Sequence, residues 1–505
     1  MPWTRSTTAA VVGLLVSAAF FVPLAVWGLV DNDEGYYGLA AKLVFEGQVP
    51  YRDFFYPQAP LLPYVYGAWM QLFGMSLYAA RTLSVLFALA LGVLVCRHTV
   101  TRFGSIWVGV VAVTSLAATR LVSEWYTMTK TYALSTLCLF GAYMLIDRAG
   151  YKRTPRHWLA AGVLLGLAVD VRLIFVTTVP VFAVVVWRTP AAARLRAAAH
   201  WVAGVALGLL PSLILFVAAP RQFVFGNIGF HAVRSEGGLV GNLEQKGDIV
   251  EDILLHQPQY VALVVLAGVA VVWRLTTRRP PPIAFWLAAT LGFVSLLPTP
   301  TYTQYFCTTI PFLIFTALEL LPLVRARITR PDRKGLEQWV LVGVAMITVM
   351  FAAEGVHGID IAHRANSTDI GLFNQGKVSS TTKVADVIDA HTTPGERVLS
   401  FRPVYIFLSE VQQVPGFEND FAPMAAETVS PEDARRLNLI TNEELASLIR
   451  DRRVRLIVNP VDTHFVLGSA GRPWESRVRD AGYQQLGTYE GVTIWVRPDD
   501  GAPEG

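Results

Sequence analysis

The sequence predicts an α-helical polytopic membrane protein with about eleven spans and a small extracytoplasmic α/β domain at its carboxyl end. Of the 505 residues, 53% are hydrophobic and only 16% are charged, whereas a soluble globular protein carries about 25% charged residues. Residues 1–354 hold 44 of the charged residues and residues 355–505 hold 36. We therefore predict a transmembrane domain over 1–354 and a separate domain over 355–505. This composition excludes a cytosolic enzyme, a fibrous protein and a disordered chain.

Apolar runs long enough to cross a bilayer recur throughout the first part of the chain. A longer apolar stretch, 158–187, is interrupted by Asp170-Val171-Arg172, and we interpret it as a hairpin of two short spans. The other predicted spans lie near 8–30, 76–96, 105–119, 131–147, 199–219, 259–273, 283–298, 305–323 and 337–354.

Basic residues support the hairpin and fix the predicted sidedness. With a hairpin, 18 Lys or Arg residues fall in loops on one side and nine on the other, before the tail. Because cytoplasmic loops carry the excess of Lys and Arg, we expect a multi-pass protein of the plasma (inner) membrane with a cytoplasmic amino terminus. Its tail and its functional polar groups then face the extracytoplasmic, or periplasmic, side. The basic residues lie in short loops, so we expect no nucleic-acid partner.

The first predicted outer loop, 31–75, begins with Asp31-Asn32-Asp33-Glu34. An apolar repeat at helical spacing follows, which predicts an amphipathic helix on the membrane surface; its members are Tyr36, Leu39, Ala40, Leu43 and Val44. One interpretation is a capping box, with Asp31 as the cap and Glu34 three residues later. This leaves Asp33 at the positive end of the helix dipole, where a carboxylate stays ionised and can act as a general base. Both interpretations remain open.

The same loop continues as Gly47-Gln48-Val49-Pro50-Tyr51-Arg52-Asp53-Phe54-Phe55-Tyr56-Pro57. Prolines bracket an aromatic cluster, so this segment should be extended and fixed in shape. Aromatic residues at a membrane surface commonly lie in the interface, and aromatic residues beside carboxylates also form surfaces on which sugars stack. The sequence does not choose between these two interpretations.

The later predicted outer loops also carry polar groups. Each of these groups can be explained by a functional role or by a simple ion pair or solvation. Glu124 can pair with Arg120, and Asp170 with Arg172, although ionisable groups at membrane depth are usually functional. The fourth outer loop holds groups that can bind phosphate or merely be solvated: His231, Arg234 and Lys246. A fifth loop directs Gln304 and Tyr305 at the bilayer edge.

The tail shows short strands and helices without a catalytic motif, so acceptor binding and a structural cap are equal hypotheses for it. We predict strands at 397–401 and 455–458, helices at 379–390 and 441–452, and a terminal hairpin over 483–497 that turns at Glu490-Gly491. The sequence has no CxxC pair, no HExxH and no clustered histidines. No cofactor is required by these patterns, and a divalent cation is left open.

The segment Asp33-Glu34-Gly35-Tyr36-Tyr37 after the first span, followed by Gly47 through Leu61, resembles the bacterial GT-C glycosyltransferases. The resemblance is to the dolichyl-phosphate-mannose protein mannosyltransferases and the lipid A aminoarabinose transferase, and Arg81 at the start of the second span also fits it. It implies a polyprenyl-phosphate sugar donor, with Asp33 as the base of an inverting transfer. Glu34 is the adjacent acid of the motif, and Glu124 maps to a second acid that helps to hold a substrate.

Further residues are candidates for binding the substrate or the lipid phosphate. Those in or near the first-loop motif are Tyr37, Arg52, Asp53, Tyr56 and Arg81. Those chosen by sidedness alone are Arg172, Arg234, Gln304 and Tyr305. The expected partners are the lipid-linked sugar, a glycan, lipid or protein acceptor, and membrane lipid.

An alternative function is a polytopic transporter or flippase of lipid-linked sugars. The predicted span count and the intramembrane Asp170 and Arg172 favour this alternative. The two halves of the membrane part show no internal repeat, although many transporters have one. The long first outer loop favours an enzyme with one working face.

Overall fold

A computed structural model describes residues 4–147, 153–233, 238–328, 336–367, 376–461 and 473–498. The first part of the chain is helical, with short 3-10 turns at Leu173–Thr178, Thr303–Thr309 and Leu318–Leu320 and a π turn at Phe225–Gly229. Its helices are α1 Arg5–Trp27, α2 Asn32–Phe45, α3 Leu61–Phe73, α4 Leu77–Phe103, α5 Ile106–Ala117, α6 Arg120–Ser123, α7 Tyr132–Asp147, α8 Pro155–Val171, α9 Val179–Trp187, α10 Ala191–Gly208, α11 Leu210–Ala218, α12 Pro220–Val224, α13 Phe230–Val233, α14 Gly238–His256, α15 Pro258–Thr276, α16 Ile283–Ser295, α17 Ile310–Ala317, α18 Leu321–Ile328 and α19 Leu336–Ser367.

The multi-pass membrane character is confirmed, but the count of eleven spans is not. Within the described ranges, five helical stretches are long and apolar enough to cross a bilayer, or six if α10 and α11 form one span. The five are Arg5–Trp27, Leu77–Phe103, Pro258–Thr276, Thr303–Val324 and Val342–Ser367. Four shorter apolar helical stretches lie at other predicted spans: Ile106–Ala117, Tyr132–Asp147, Leu173–Trp187 and Ile283–Ser295. The predicted interruption of 158–187 is present, because α8 ends at Val171 and Arg172 has extended backbone.

The chain divides by packing into two compact units. The first comprises Met1–Gly28, Ser84–Leu210 and Ser235–Arg364, and the second comprises Leu29–Leu83, Pro211–Arg234 and Ala365–Gly505. The predicted domain boundary at 354/355 stays a prediction. It falls inside α19, which continues to Ser367.

In the first unit, α8 and α10 pack closely through glycines. A Cβ atom on Gly162 would lie 2.3 Å from the Trp201 carbonyl oxygen, and one on Gly204 would lie 2.2 Å from the Leu159 carbonyl oxygen. Only glycine permits this backbone approach, as in other membrane helix pairs. A buried ion network joins further helices of this unit. Its ion pairs are Arg102–Asp147, Arg102–Glu319, Arg274–Glu319 and His98–Asp147.

In the second unit, the tail forms a five-stranded mixed sheet of order β2-β1-β3-β5-β4. Strand β1 is parallel to β2 and β3, while β5 is antiparallel to β3 and β4. The elements of the tail are α20 Val378–Ala390, β1 Arg397–Ser400, α21 Pro403–Leu408, β2 Gln412–Gln413, α22 Ala422–Ala426, α23 Pro431–Arg436, α24 Asn442–Arg450, β3 Leu456–Val458, α25 Trp474–Asp480, β4 Gln484–Tyr489 and β5 Val492–Val496.

The predicted strands, helices and hairpin of the tail are confirmed. The hairpin turns at Glu490 and Gly491, which both have positive φ angles of 51° and 81°. A buried cluster around Trp474, Leu445 and Ile457 forms the core of this part.

Helix α2 is present where it was predicted, but the expectation of one apolar and one solvated face is wrong. Nine of its fourteen residues are buried. A Cβ atom on Gly35 would lie 2.5 Å from the Val404 backbone, and one on Gly38 would lie 2.7 Å from the Phe407 ring. The two glycines thus let α21 of the tail cover the side of α2 that the apolar repeat leaves out.

Lys42 completes this contact between α2 and the tail. Its ammonium donates hydrogen bonds to the carbonyl oxygens of Ile406 at 3.0 Å, Ser409 at 2.6 Å and Val411 at 3.1 Å. These contacts satisfy carbonyl groups at and just beyond the carboxyl end of α21. The first loop and the tail therefore fold together within the second unit.

Candidate active site

The first turn of α2 has the capping box that the sequence predicts. The Asp31 carboxylate accepts a hydrogen bond from the Asp33 amide at 2.9 Å, and the Glu34 carboxylate accepts one from the Asp31 amide at 3.2 Å. Asp33, between these two acids, is half-buried. The capping interpretation thus describes Asp31 and Glu34. The role of Asp33 as a base remains a prediction.

Glu34 also forms a buried ion pair with Arg81. The Arg81 Nε and Nη2 atoms lie 2.9 and 2.5 Å from the two Glu34 carboxylate oxygens, and Nη2 donates a further hydrogen bond to the Leu29 carbonyl oxygen at 2.9 Å. Glu34 is fully buried and Arg81 is 1% exposed. This two-point pair holds the start of α2 on α4, so both residues have a structural task next to Asp33.

The aromatic segment of the first loop lies inside the second unit. Tyr51, Phe54, Phe55 and Tyr56 are at most 3% exposed, and Tyr37 is 5% exposed. Tyr56 stacks on Tyr36 with ring centroids 5.4 Å apart. These rings therefore form a packed core under α2. A role of Tyr37 or Tyr56 in substrate binding remains a prediction.

The neighbouring pair Arg52 and Asp53 lies at the surface. The Arg52 Nη2 atom is 2.8 Å from an Asp53 carboxylate oxygen, and Arg52 is 54% exposed. The same carboxylate accepts a hydrogen bond from the Val49 amide at 2.7 Å. The Arg52 side chain, through its hydrogen bond, holds the pKa of the Asp53 carboxyl below its usual value. A role of either residue in substrate binding remains a prediction.

Two tail residues, Asp420 and Arg402, belong to the surroundings of the start of α2, and no sequence pattern indicated them. The Asn32 side-chain amide donates a hydrogen bond to the Asp420 carboxylate at 2.8 Å. Asp420 is 5% exposed. The charge of Asp33 raises the pKa of the Asp420 carboxyl, and the charge of Arg402 lowers it. The environment of Asp33 therefore includes a carboxylate from the tail.

In the first unit, Arg172 lies between aromatic rings. Its guanidinium carbon is 4.7 Å from the centre of the Tyr132 ring and 5.0 Å from the centre of the Tyr305 ring. Its Nη1 atom donates a hydrogen bond to the Thr131 hydroxyl at 2.9 Å. The structure thus brings together two residues, Arg172 and Tyr305, that the sequence analysis grouped by sidedness alone.

A second cation, Lys130, joins this group. It is 2% exposed, and its ammonium nitrogen lies 4.4 Å from the centre of the Trp125 ring. The charges of Lys130 and Arg172 both act on the Tyr132 hydroxyl. We call this set (Trp125, Lys130, Thr131, Tyr132, Arg172 and Tyr305) the cationic aromatic cluster. Asp170, two residues before Arg172, is also fully buried.

Glu124 pairs with Arg120, as the simpler interpretation of the second loop expected. The Arg120 Nη2 atom is 3.0 Å from the Glu124 carboxylate, and its Nη1 atom is 3.9 Å from that of Glu354. Burial raises the pKa of the Glu124 carboxyl, and Arg120 opposes this rise. The Arg120 amide is held by Gln259 at 2.9 Å. A role of Glu124 toward a substrate remains a prediction.

The fourth-loop candidates are not part of the cationic aromatic cluster as defined. Lys246 donates a hydrogen bond to the Thr299 hydroxyl at 3.3 Å, and exposed His231 lies against Phe230. Arg234 lies outside the described residues. Gln304 is half-buried on the turn that also carries Tyr305. In the described part of the chain, no group of three or more His, Cys, Asp or Glu residues has the arrangement of a metal site.

Sequence reasoning missed Lys130, Asn32, Arg402 and Asp420. Lys130 had one weak signal, since it stands between two threonines directly before a predicted span. Asp420 and Arg402 are ordinary charged residues of the tail in sequence, and they reach α2 through long-range packing.

Residues 57–216 match the family model described as dolichyl-phosphate-mannose-protein mannosyltransferase. The fold is similar to that of ArnT from Cupriavidus metallidurans bound to undecaprenyl phosphate, with a TM-score of 0.66, 14% sequence identity and coverage of 99% of this chain and 100% of that chain.

The apo structure of the same ArnT gives a TM-score of 0.63 with 14% identity, over 97% of this chain and 98% of that chain. No functionally curated protein matches the sequence of this chain. The expected fold class is confirmed. The chain is a multi-pass membrane protein with the GT-C fold of ArnT, and its match to a mannosyltransferase family model indicates that it is a glycosyltransferase.

Proposed function

We propose that the protein transfers a sugar from a polyprenyl-phosphate donor to an acceptor hydroxyl at the extracytoplasmic face of the plasma membrane, with inversion at the anomeric carbon. The observation that carries this proposal is the first turn of α2. There Glu34 is fully buried in its pair with Arg81, while the adjacent Asp33 is half-buried at the helix start. The half-buried position of Asp33 supports its assignment as the base in preference to the fully buried Glu34.

In the proposed reaction, Asp33 accepts the proton of the acceptor hydroxyl. The hydroxyl oxygen attacks the anomeric carbon, and the bond between that carbon and the phosphate oxygen breaks. The lipid phosphate leaves with the bonding electron pair. The products are the glycosylated acceptor and the polyprenyl phosphate. Asp33 lies at a helix amino terminus, which favours the ionised carboxylate that this step requires.

Within the first unit, the cationic aromatic cluster carries positive charge and is our candidate for binding a lipid phosphate. Lys130 and Arg172 are both buried. A buried cation acts more strongly on an anion than a solvated one, because less water screens the interaction. The binding of undecaprenyl phosphate by ArnT supports a lipid-phosphate donor for this fold.

A transfer assay tests the function. The purified protein is given undecaprenyl-phosphate-linked hexoses and pentoses, each labelled in the sugar, together with envelope glycans, lipids or peptides as acceptors. We expect a labelled product and release of undecaprenyl phosphate from one donor. Movement of labelled lipid across a liposome bilayer, without transfer from any donor, would instead establish the transporter function.

Replacing the buried cations is expected to weaken lipid-phosphate binding. Loss of one charge-assisted hydrogen bond costs about 1.5–3 kcal/mol, so Lys130→Met and Arg172→Met should each raise the Kd for undecaprenyl phosphate by about 10- to 100-fold. Binding is measured with the purified protein in detergent. Arg188→Gln is the control, since Arg188 is an exposed cation after α9. Unchanged affinity in both cluster variants would remove the phosphate role from Lys130 and Arg172.

A further inference from the structure

The segment of the tail that carries Asp420 is held firmly in place beside α2. The Asn419 side chain, 2% exposed, accepts a hydrogen bond from the Phe421 amide at 2.8 Å. On one side of Asp420, Phe417 lies in the core of the tail, and on the other Phe421 packs on Phe230 with ring centroids 5.8 Å apart. The Asp420 carboxylate therefore has little freedom to move away.

The hydrogen bond from Asn32 fixes Asp420 relative to the predicted base. Asn32 is the first residue of α2 and directly precedes Asp33, and its amide nitrogen lies 2.8 Å from the Asp420 carboxylate. The tail reaches the same helix through the contacts of Val404 with Gly35 and of Lys42 with the end of α21. The two carboxylates thus belong to one packed arrangement.

We propose that Asp420 is a positioning residue that tunes Asp33 as the base of the transfer, an inference that rests on the proposed function. A negative charge close to a carboxylate disfavours its ionisation. The charge of Asp420 therefore makes Asp33 hold a proton more readily, which brings the base closer to the working pH and makes it a stronger acceptor.

The groups around Asp420 change the pKa of its carboxyl in opposite directions. Burial raises the pKa of the Asp420 carboxyl, the hydrogen bond from Asn32 and the charge of Arg402 lower it, and the charge of Asp33 raises it. Burial is the largest of these effects and leaves the pKa of the Asp420 carboxyl raised, while the donated hydrogen bond and the guanidinium partly offset it. The other charged or titratable groups at the start of α4, on α2 and its N-cap, on α21 and on the Asp420 segment are Asp31, Glu34, Tyr36, Tyr37, Lys42, Tyr78, Arg81, Tyr405 and Glu418.

The test is the pH dependence of kcat/KM for sugar transfer. Asp420→Asn removes the charge but keeps an oxygen that can accept from Asn32. We expect the acid limb of the profile to move to lower pH by about half a unit to one unit. The matched control is Glu418→Gln, because Glu418 is a nearby buried acid whose carboxylate accepts from the Gly416 amide at 3.0 Å. It should leave the limb in place.

Asp420→Glu gives a second, independent readout. It keeps the charge, so its acid limb should stay near that of the wild type even if kcat falls. Three results would each overturn the proposal. The acid limb of the pH profile could stay in place in Asp420→Asn, it could shift equally in Glu418→Gln, or it could shift fully in Asp420→Glu. If Asp420→Asn does not fold, a full shift of the acid limb in Asp420→Glu would still overturn the proposal. Absence of transfer by the wild type would count against the proposed function instead.

Discussion

Asp33→Asn is expected to lower kcat for sugar transfer by about 10²- to 10⁴-fold, the usual contribution of a general base. The amide keeps the size of the side chain but cannot accept the proton of the acceptor hydroxyl. The capping box stays intact, because it uses the Asp33 backbone amide and the side chains of Asp31 and Glu34. The measurement is single-turnover transfer from the active donor.

Two comparisons decide what this loss means. Glu46→Gln changes an exposed acid at the other end of α2 and should retain wild-type turnover. Binding of undecaprenyl phosphate should be unchanged in Asp33→Asn, since the variant alters the proton acceptor and not the phosphate site. Wild-type turnover in Asp33→Asn would show that another acid is the base, with Glu34, Asp53 and Glu124 as the remaining candidates.

Arg81→Met is expected to destabilise the protein by about 3–5 kcal/mol, because it leaves the buried Glu34 carboxylate without its ionic partner. Arg81 and Glu34 are 1% and 0% exposed, and two nitrogen–oxygen contacts join them. The measurement is the free energy of unfolding in detergent. The double variant Glu34→Gln with Arg81→Met should recover part of the loss, since it no longer buries a lone charge.

A surface pair provides the control for this effect. Arg52→Met removes an exposed cation from its pair with Asp53, and such pairs contribute about 0–1 kcal/mol. The same experiment separates two roles of Arg81. If Arg81→Met were as stable as the wild type but bound undecaprenyl phosphate weakly, Arg81 would be a phosphate ligand. Stability would then not depend on its pair with Glu34.

Features that depend on neighbouring residues could be predicted from the sequence. The capping box joins Asp31 and Glu34, which are three positions apart, and the terminal hairpin turns at adjacent Glu490 and Gly491. Each is determined by local hydrogen bonds or backbone angles. The resemblance around Asp33 and Glu34 also marked the part of the chain where the structure places the buried pair of Glu34 with Arg81.

Features that depend on distant packing could not be predicted in this way. Asn32 and Asp420 are 388 positions apart, and no local pattern indicates their contact. The apolar repeat of α2 predicted one covered face, whereas Gly35 and Gly38 on another side admit α21 of the tail. Small residues three positions apart were the available signal. The span count is not confirmed, because apolar helices such as Ile106–Ala117 and Ile283–Ser295 are shorter than the stretches that are long enough to cross a bilayer.

The joining of the first loop to the tail also sets an order in the biogenesis of the protein. At about 5–20 residues per second, the ribosome needs roughly 20 to 80 s to proceed from Asn32 to Asp420. During that interval α2 has neither its cover from α21 nor the carbonyl partners of Lys42. The first loop is covered only after the tail has been synthesised, so we expect activity only once the tail has folded onto α2. Premature termination anywhere before the tail would therefore yield an inactive product, even with every membrane helix inserted.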